Sequence, residues 1–181
     1  MAKMMSSLND PLIGFIQKQH MFFVGTAAKG GRVNLSPKGL DSLRVINKNR
    51  IAWLNLTGSG NETAAHLLNA DRMTLMFCSF EEMPLILRVY GSAKAVYEVD
   101  AGWEKLIGLF PPMPGARQVF DMKVESVQTS CGYAVPFYQF AGQRERLNEA
   151  NGKKGKEGIK EYWKEKNLRS IDGYETGQKW R

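Results

Sequence analysis

Short runs of apolar or alternating residues, separated by turns rich in glycine and proline, dominate the first 130 residues of the chain. Many of these runs contain β-branched and aromatic residues, which is typical of strands that pack on a shared core. The alternation is clear around Val33 and Leu35, which share one face, with Asn34 and Ser36 on the other. We therefore predict six strands, at residues 21–26, 32–36, 50–56, 73–80, 85–97 and 118–129.

Apolar residues at helical spacing predict helices between and after these strands. Asp10 and Pro11 begin the first, because aspartate caps a helix and proline suits its first turn. The region after Gly142 turns polar and helical, whereas residues 170–181 carry little pattern and are expected to fray. The predicted helices cover residues 11–18, 61–69, 102–110 and 157–164.

These elements predict a mainly β protein with helices. We expect a closed, six-stranded antiparallel barrel, because closure removes exposed strand edges. Gly91, midway along the fifth predicted strand, indicates a bulge or bend of the kind that barrel corners need. The 181 residues suit one domain, with a helix after the third strand and a C-terminal helical extension over about residues 142–181.

The charge balance is basic, with a formal net charge of +7 and a pI of about 9.4. This favours anionic ligands, but there is no arginine-rich run or aromatic RNA-binding motif, so we expect no nucleic-acid partner. The distant cysteines Cys78 and Cys131 form no disulfide framework, and His20 and His66 have no zinc-ligand partners at useful spacing. No apolar run suits a signal peptide or a membrane span, and the cysteines suit a reduced compartment, so we expect a cytoplasmic protein. Because the histidines lack zinc-ligand partners, we also expect no metal site.

A glycine-rich turn between the third strand and the second helix carries the most specific signal. Residues 57–63 place Gly58 and Gly60 at a helix N-terminus, where free backbone N–H groups and the helix dipole favour a phosphate. The alternative is a capping box, in which Ser59 accepts a hydrogen bond from the helix start and Glu62 reaches back. Since capping does not account for the two glycines, both interpretations stay open at this point.

Two cations support the anion-site interpretation. Lys38 follows the second strand between a proline and a glycine, from where its ammonium could reach a phosphate or an anionic ring. Arg88 lies in an apolar strand, where an unpaired charge is costly to bury. The alternatives are a surface lysine in a turn and an arginine whose head reaches solvent.

Four segments, taken in order, resemble the pyridoxamine 5'-phosphate oxidase-related family, which has the FMN-binding split barrel. They are residues 34–39, 53–63, 72–77 and 87–91. The resemblance extends over about residues 20–140 and implies a homodimer with two FMN molecules in clefts at the subunit interface. Tyr133 and Trp163 are candidates for contacts from the partner subunit. The resemblance implies FMN contacts at Asn34, Leu35, Ser36, Lys38, Asn55, Leu56, Thr57, Ser59, Asn61, Thr63 and Arg88.

The chain departs from true pyridoxamine-phosphate oxidases in two places. Their C-terminal Arg-x-His corresponds here to 169–171, which contains no histidine, and Ser59 is followed by Gly60 rather than by Arg-Lys. The sequence thus favours FMN binding but not the oxidation of pyridoxamine phosphate. We predict an FMN-dependent oxidoreductase of unknown substrate, with no catalytic acid or base identified. The alternatives are a flavin carrier without turnover, a haem- or deazaflavin-binding split barrel, and a basic nucleic-acid-binding module.

Overall fold

The computed structural model describes residues 3–180, which form one antiparallel sheet of eight strands with four helices. The strands are β1 Lys3–Met5, β2 Phe22–Thr26, β3 Asn34–Lys38, β4 Leu43–Asn47, β5 Arg50–Leu56, β6 Arg72–Cys78, β7 Leu85–Val96 and β8 Ala116–Cys131. The helices are α1 Asp10–Lys18, α2 Glu62–Asn69, α3 Trp103–Ile107 and α4 Arg146–Lys166. The mainly β fold class is confirmed.

The sheet is open, with the order β3-β2-β6-β7-β8-β5-β4 and with β1 paired to β8. The prediction of a closed barrel with six strands is therefore wrong in strand number and in closure. The two missed strands are β1, which has three residues, and β4, whose pairing with β5 contains an irregularity between Val45 and Asn47. The long β8 joins the sheet by pairing with β7 over most of its length and with β5 and β1 on its other side.

The edge strand β3 runs further than its sequence predicts. Pro37 lies within the strand, opposite Phe23 of β2. An edge strand tolerates proline, because the N–H that proline lacks has no ladder partner on the open side. This extension carries Lys38 into the strand, opposite the buried Phe22, rather than into an exposed turn.

The main core lies on one face of the sheet and is centred on aromatic side chains. Trp53 and Phe120 stack with ring centroids 4.5 Å apart, and Phe77 packs beside them. Helix α1 covers this core with Leu12 and Ile16. The cap of α1 is Asn9 rather than the predicted Asp10, since the Asn9 side chain accepts a hydrogen bond from the Leu12 amide at 3.0 Å.

The predicted irregularity at Gly91 is confirmed. The register of β7 against β8 shifts between Tyr90 and Gly91. A Cβ atom on Gly91 would lie 1.9 Å from the carbonyl oxygen of Lys123 on the neighbouring strand. Only glycine lets the two backbones approach so closely at this bulge.

The C-terminal region packs against the sheet as far as residue 180, contrary to the expected fraying. Helix α4 contains one non-helical residue, Gly155, with φ of 64°. Beyond α4, Ser170 and Thr176 are buried, and the Tyr97 hydroxyl donates a hydrogen bond to the Thr176 carbonyl at 2.9 Å. Asp172 forms an ion pair with Arg32. The C-terminal extension is therefore part of the folded body.

Candidate functional site

Buried side chains hold the glycine-rich turn at residues 57–61, hereafter the glycine loop, from behind. The loop links the end of β5 to the start of α2. Asn151 and Asn167 donate hydrogen bonds to the carbonyls of Thr57 and Gly58, at 3.3 and 3.1 Å. Arg117 of β8 donates to the Gly60 carbonyl at 3.0 Å. Three loop carbonyls are thus fixed by side chains that come from β8 and from the C-terminal region.

The opposite side of the glycine loop offers donors. Among residues 3–180, the amides of Gly58, Ser59 and Gly60 have no hydrogen-bond acceptor, and Ser59 and Gly60 are exposed. These amides precede the N-terminus of α2, where the helix dipole adds partial positive charge. Carbonyls held behind and amides open in front form an arrangement that suits an anion.

The capping-box alternative is wrong for this loop. The start of α2, with Asn61 at the N-cap position, has no side-chain capping hydrogen bond. The Glu62 carboxylate instead accepts the Ile171 amide, at 3.1 and 3.2 Å to its two oxygens. Glu62 therefore anchors the C-terminal segment and leaves the loop amides open.

The Asn61 side chain lies on the buried side of the glycine loop, where it makes structural hydrogen bonds. Its side chain is buried, accepts a hydrogen bond from Gln118 at 2.6 Å and donates one to Gln178 at 3.2 Å. Thr57 is also buried, and its hydroxyl donates to the Gly115 carbonyl at 2.9 Å. The structure thus places Asn61 and Thr57 in the support of the loop.

The polar face of β3 turns toward the protein interior. The Asn34 amide donates hydrogen bonds to Thr26 and Thr63, at 3.3 and 3.2 Å, and Ser36 donates to Asn34 at 2.9 Å. This network links β3 to Thr63 in the first turn of α2, which begins directly after the glycine loop. Leu35 lies on the opposite face of β3 and is 65% exposed, so the structure separates it from Asn34 and Ser36.

Lys38 ends the same interior face of β3. Its Nζ lies 5.5 Å from the centroid of the Trp53 ring, and it has no ion-pair partner in the described part of the chain. Burial, with a smaller contribution from the positive charge of Arg117, lowers the pKa of Lys38 to about 8. A partly buried amine without a counter-ion suits a site that receives an anion.

A cleft of about 660 Å³ lies beside these groups. It brings together Lys38 from β3, Asn55 and Leu56 from the end of β5, and Gly58 from the glycine loop. Its far wall is formed by residues 138–144, whose Phe140 ring stacks on His20 with centroids 3.6 Å apart. The volume falls within the ordinary range for small-molecule sites, about 300–1,000 Å³.

The remaining predicted residues lie elsewhere. Arg88 is on the outer face of the sheet, where its guanidinium donates to Ser130 at 3.1 Å, away from the cleft lining. Tyr133 is 83% exposed, whereas Trp163 is buried and donates from Nε1 to Thr57 Oγ1 of the same chain at 2.8 Å. Little of Trp163 is therefore left for a partner subunit to contact.

Sequence analysis missed several titratable residues at the site, among them His20 and Glu81, which line the cleft, and Arg117, which supports the loop. His20 and Glu81 lie far apart in the chain and flank strands, so no spacing joined them. Arg117 lies just before the sixth predicted strand, so it was assigned to no element. Among residues 3–180, no cluster of three metal-ligating side chains forms and no helix is long and apolar enough to span a membrane.

Replacing Trp163 with phenylalanine tests the support of the loop. We expect the free energy of unfolding to fall by about 1 kcal/mol, because the ring still packs but the bond to Thr57 is lost. Urea denaturation measures this change. Trp180→Phe is the control, since Trp180 is less buried and packs at the edge of Trp163 with centroids 6.4 Å apart. Equal changes in the two variants would contradict the assigned role.

Comparison with known proteins agrees with this fold. The sequence profile described as pyridoxamine 5'-phosphate oxidase matches residues 9–131. This chain belongs to the pyridoxamine 5'-phosphate oxidase family. It is 40% identical over 136 residues to the pyridoxamine 5'-phosphate oxidase family protein ustO of Aspergillus flavus. That match covers 72% of this chain and 54% of ustO, so the chain spans about half the length of this relative.

Solved structures with the same fold include two bacterial proteins. HupZ of Group A Streptococcus matches with a TM-score of 0.52 and 20% identity, over 66% of this chain and 91% of HupZ. A candidate pyridoxamine 5'-phosphate oxidase of Lactobacillus delbrueckii matches with a TM-score of 0.53 and 19% identity, over 68% of this chain and 98% of its own. At this level of identity, the likeness to these two proteins concerns the fold alone.

Proposed function

We propose that this member of the pyridoxamine 5'-phosphate oxidase family binds FMN and acts as an FMN-dependent oxidoreductase. One observation carries the proposal. The glycine loop has its carbonyls engaged and its amides open, and it borders the same cleft as Lys38, a partly buried cation without a counter-ion. A ligand with a phosphate at one end and a flat, partly apolar body satisfies both features.

The phosphate end would be held by the glycine loop. The amides of Gly58, Ser59 and Gly60 and the Ser59 hydroxyl are the donors that this loop offers. Asn34 and Thr63 keep β3 aligned with the start of α2, and Asn61 supports the loop from below. These residues fit a phosphate because their donors converge where the helix dipole is favourable.

The ring system would lie along the ends of β3 and β5. Lys38, Asn55 and Leu56 line this part of the cleft, and Phe80 and Tyr138 close its apolar side. FMN, when bound, supplies the redox chemistry by accepting or giving up a hydride. The Lys38 ammonium would stabilise negative charge on the ring, since opposite charges attract strongly in a site that excludes water.

A homodimer is part of the proposal. The outer face of the sheet presents exposed apolar side chains, with Val33 at 76%, Leu35 at 65% and Met4 at 57% exposure. Arg88 lies on this face in the row that joins Met4 to β3 across the sheet. A second copy seated here would bury this apolar surface and would give Leu35 and Arg88 a role as interface residues, and the exposed Tyr133 remains a candidate for contact with it.

The purified protein tests the binding proposal directly. We expect it to be yellow or to become so with FMN, with one FMN per chain in a fluorescence-quenching titration. Mass spectrometry of the released ligand separates FMN from a deazaflavin. A haem titration should give no Soret shift, because His66 is buried against Thr26 at 3.1 Å and His20 is stacked on Phe140. Protein that stays colourless with FMN contradicts the proposal.

Turnover separates the oxidoreductase from a flavin carrier. Reduced nicotinamide cofactors and pyridoxamine phosphate, each with oxygen, should be assayed in the steady state with the FMN-loaded protein. Consumption of a reductant above the rate with free FMN supports the oxidoreductase. Stoichiometric FMN binding without turnover of any of these compounds assigns the carrier role instead.

A further inference from the structure

Arg117 is a buried cation that no carboxylate neutralises. It lies at the start of β8 and is 3% exposed. Its three hydrogen bonds go to neutral oxygens: the side chains of Gln118 and Asn167, at 2.9 and 2.6 Å, and the carbonyl of Gly60, at 3.0 Å. No ion pair within residues 3–180 includes this arginine.

This charge persists at neutral pH although burial opposes it. Burial lowers the pKa of Arg117 to about 10, so the guanidinium stays protonated near pH 7. A buried ion without a partner destabilises the fold, and a neutral side chain of similar volume is often at least as stable. The fold therefore gains little from this charge, whereas a bound anion would gain from it.

Arg117 lies on the support side of the glycine loop. Its Nη2 holds the Gly60 carbonyl, while the amides of Gly58, Ser59 and Gly60 face outward. Its charge also reaches Lys38, whose pKa it helps to lower. The buried Arg117 and the partly buried Lys38 thus border one region of the molecule, and the described residues offer neither of them an acidic partner.

We propose that Arg117 is a positioning residue that acts through Gly60 and the glycine loop and makes the site selective for a flavin that carries a phosphate. The inference rests on the proposed function, because the anion is taken to be the phosphate of FMN. Riboflavin has the same ring without that phosphate, so Arg117 should contribute to the affinity for FMN and not to the affinity for riboflavin.

The C-terminal extension takes part in this arrangement. Asn167 lies just beyond α4, outside the residues 9–131 that match the family profile, yet it accepts from Arg117 and donates to the Gly58 carbonyl. Asn167 therefore sets both the orientation of the guanidinium and the position of the loop. Replacing Asn167 with aspartate places a carboxylate of almost the same shape against Arg117 and neutralises its charge, and it also removes the donor to the Gly58 carbonyl.

The experiment compares the affinities for FMN and riboflavin across four variants by fluorescence quenching. We expect Arg117→Gln and Asn167→Asp each to lose about tenfold or more in FMN affinity, with riboflavin affinity changed by less than about twofold. Arg117→Lys keeps the charge and should retain most of the FMN preference. Arg72→Gln is the control, since it removes an exposed arginine at the other end of α2 and should change neither affinity.

Inorganic phosphate supplies a second probe that does not depend on flavin binding. It should raise the melting temperature of the wild type and of Arg117→Lys, but not that of Arg117→Gln or Asn167→Asp. If the wild type binds neither flavin but still responds to phosphate in this pattern, the proposed function fails and the role of Arg117 stands.

Three results would overturn the inference. Arg117→Gln could weaken FMN and riboflavin equally, which indicates a purely structural role. Asn167→Asp could keep the full preference for FMN, or Arg117→Lys could lose as much of it as Arg117→Gln. If the glutamine variant fails to fold, the aspartate and lysine variants still decide the question, because each keeps a polar side chain of similar length at its position.

Discussion

Replacing Gly91 with alanine is expected to destabilise the protein by about 4 kcal/mol or more, a large share of the stability of an ordinary domain. The added Cβ would lie 1.9 Å from the Lys123 carbonyl oxygen and 3.0 Å from its carbonyl carbon. These atoms belong to the backbone of β8 and cannot move aside as a flexible side chain could. Since β7 and β8 pair over most of their length, separating them at the bulge disturbs the centre of the sheet.

Thermal and urea denaturation of purified protein measure this effect. Gly14→Ala is the matched control, because Gly14 lies within α1 and an added Cβ there meets no atom within 4 Å. Alanine is the better helix former, so this control should be unchanged or more stable by up to about 1 kcal/mol. A Gly91→Ala variant that melts within a few degrees of the wild type would show that the two strands are not in contact as described.

Replacing Lys38 with methionine is expected to stabilise the protein at pH 7 by about 3 kcal/mol. Burial, with a smaller contribution from Arg117, lowers the pKa of Lys38 from 10.5 to about 8 in the folded state. Each pKa unit corresponds to about 1.4 kcal/mol of difference between the two protonation states, so the charged lysine opposes folding. Methionine fills a similar volume without a charge to desolvate.

The lowered pKa of Lys38 determines how the stability difference between wild type and Lys38→Met changes with pH. Between pH 8 and pH 10.5 the unfolded chain holds a proton on Lys38 that the folded chain has released. The unfolding free energy of the wild type therefore rises with pH across this window, relative to that of Lys38→Met. The advantage of the variant should be complete below about pH 8 and should vanish near pH 10.5.

Urea denaturation at several pH values measures the difference between the two proteins. Lys123→Met is the control, because Lys123 is exposed on β8, and its stability should stay within about 0.5 kcal/mol of the wild type. A constant difference between wild type and Lys38→Met from pH 7 to pH 10.5 would contradict the lowered pKa. The same variant should bind FMN more weakly, since the proposed anion loses a cation.

If Lys38→Met raises the stability but weakens FMN binding, Lys38 serves the ligand rather than the fold. A cation that weakens the fold but strengthens binding is typical of a site prepared for an anion, because the ligand supplies the missing counter-charge. The same argument applies to Arg117, which is more deeply buried and donates only to neutral acceptors. In the proposed site, Arg117 supplies buried positive charge behind the phosphate, and Lys38 supplies positive charge beside the ring system.

Local patterns predicted most of the elements because alternation and turn residues act over a few neighbours. The six predicted strands correspond to β2, β3, β5, β6, β7 and β8. Strand β1 has three residues, too few for a pattern to emerge, and β4 follows β3 after a short turn with Leu40 at φ of 61°. The bulge at Gly91 was predictable because glycine weakens the interior of a strand and commonly marks a bulge or a close backbone approach there.

The candidate site was only partly predictable. The glycine loop and Lys38 could be named because a strand end, two glycines and a following helix are all close in sequence. Their supporting residues could not be named, since Arg117 reaches Gly60 across 57 positions and Asn167 reaches Gly58 across 109. Arg88, in contrast, lay in an apolar strand and was assigned to the cofactor, yet it lies on the outer face of the sheet.

The sequence by itself determined most of the strands and helices and the glycine-rich turn between β5 and α2, because these depend on local sterics and periodicity. Tertiary structure alone decided that β3 turns its polar face inward and that Lys38 is partly buried. It also decided that Arg117 has no acidic neighbour within the described part of the chain. These properties depend on which distant residues pack together, since burial and the distances between charges set the free energy of each ionised group.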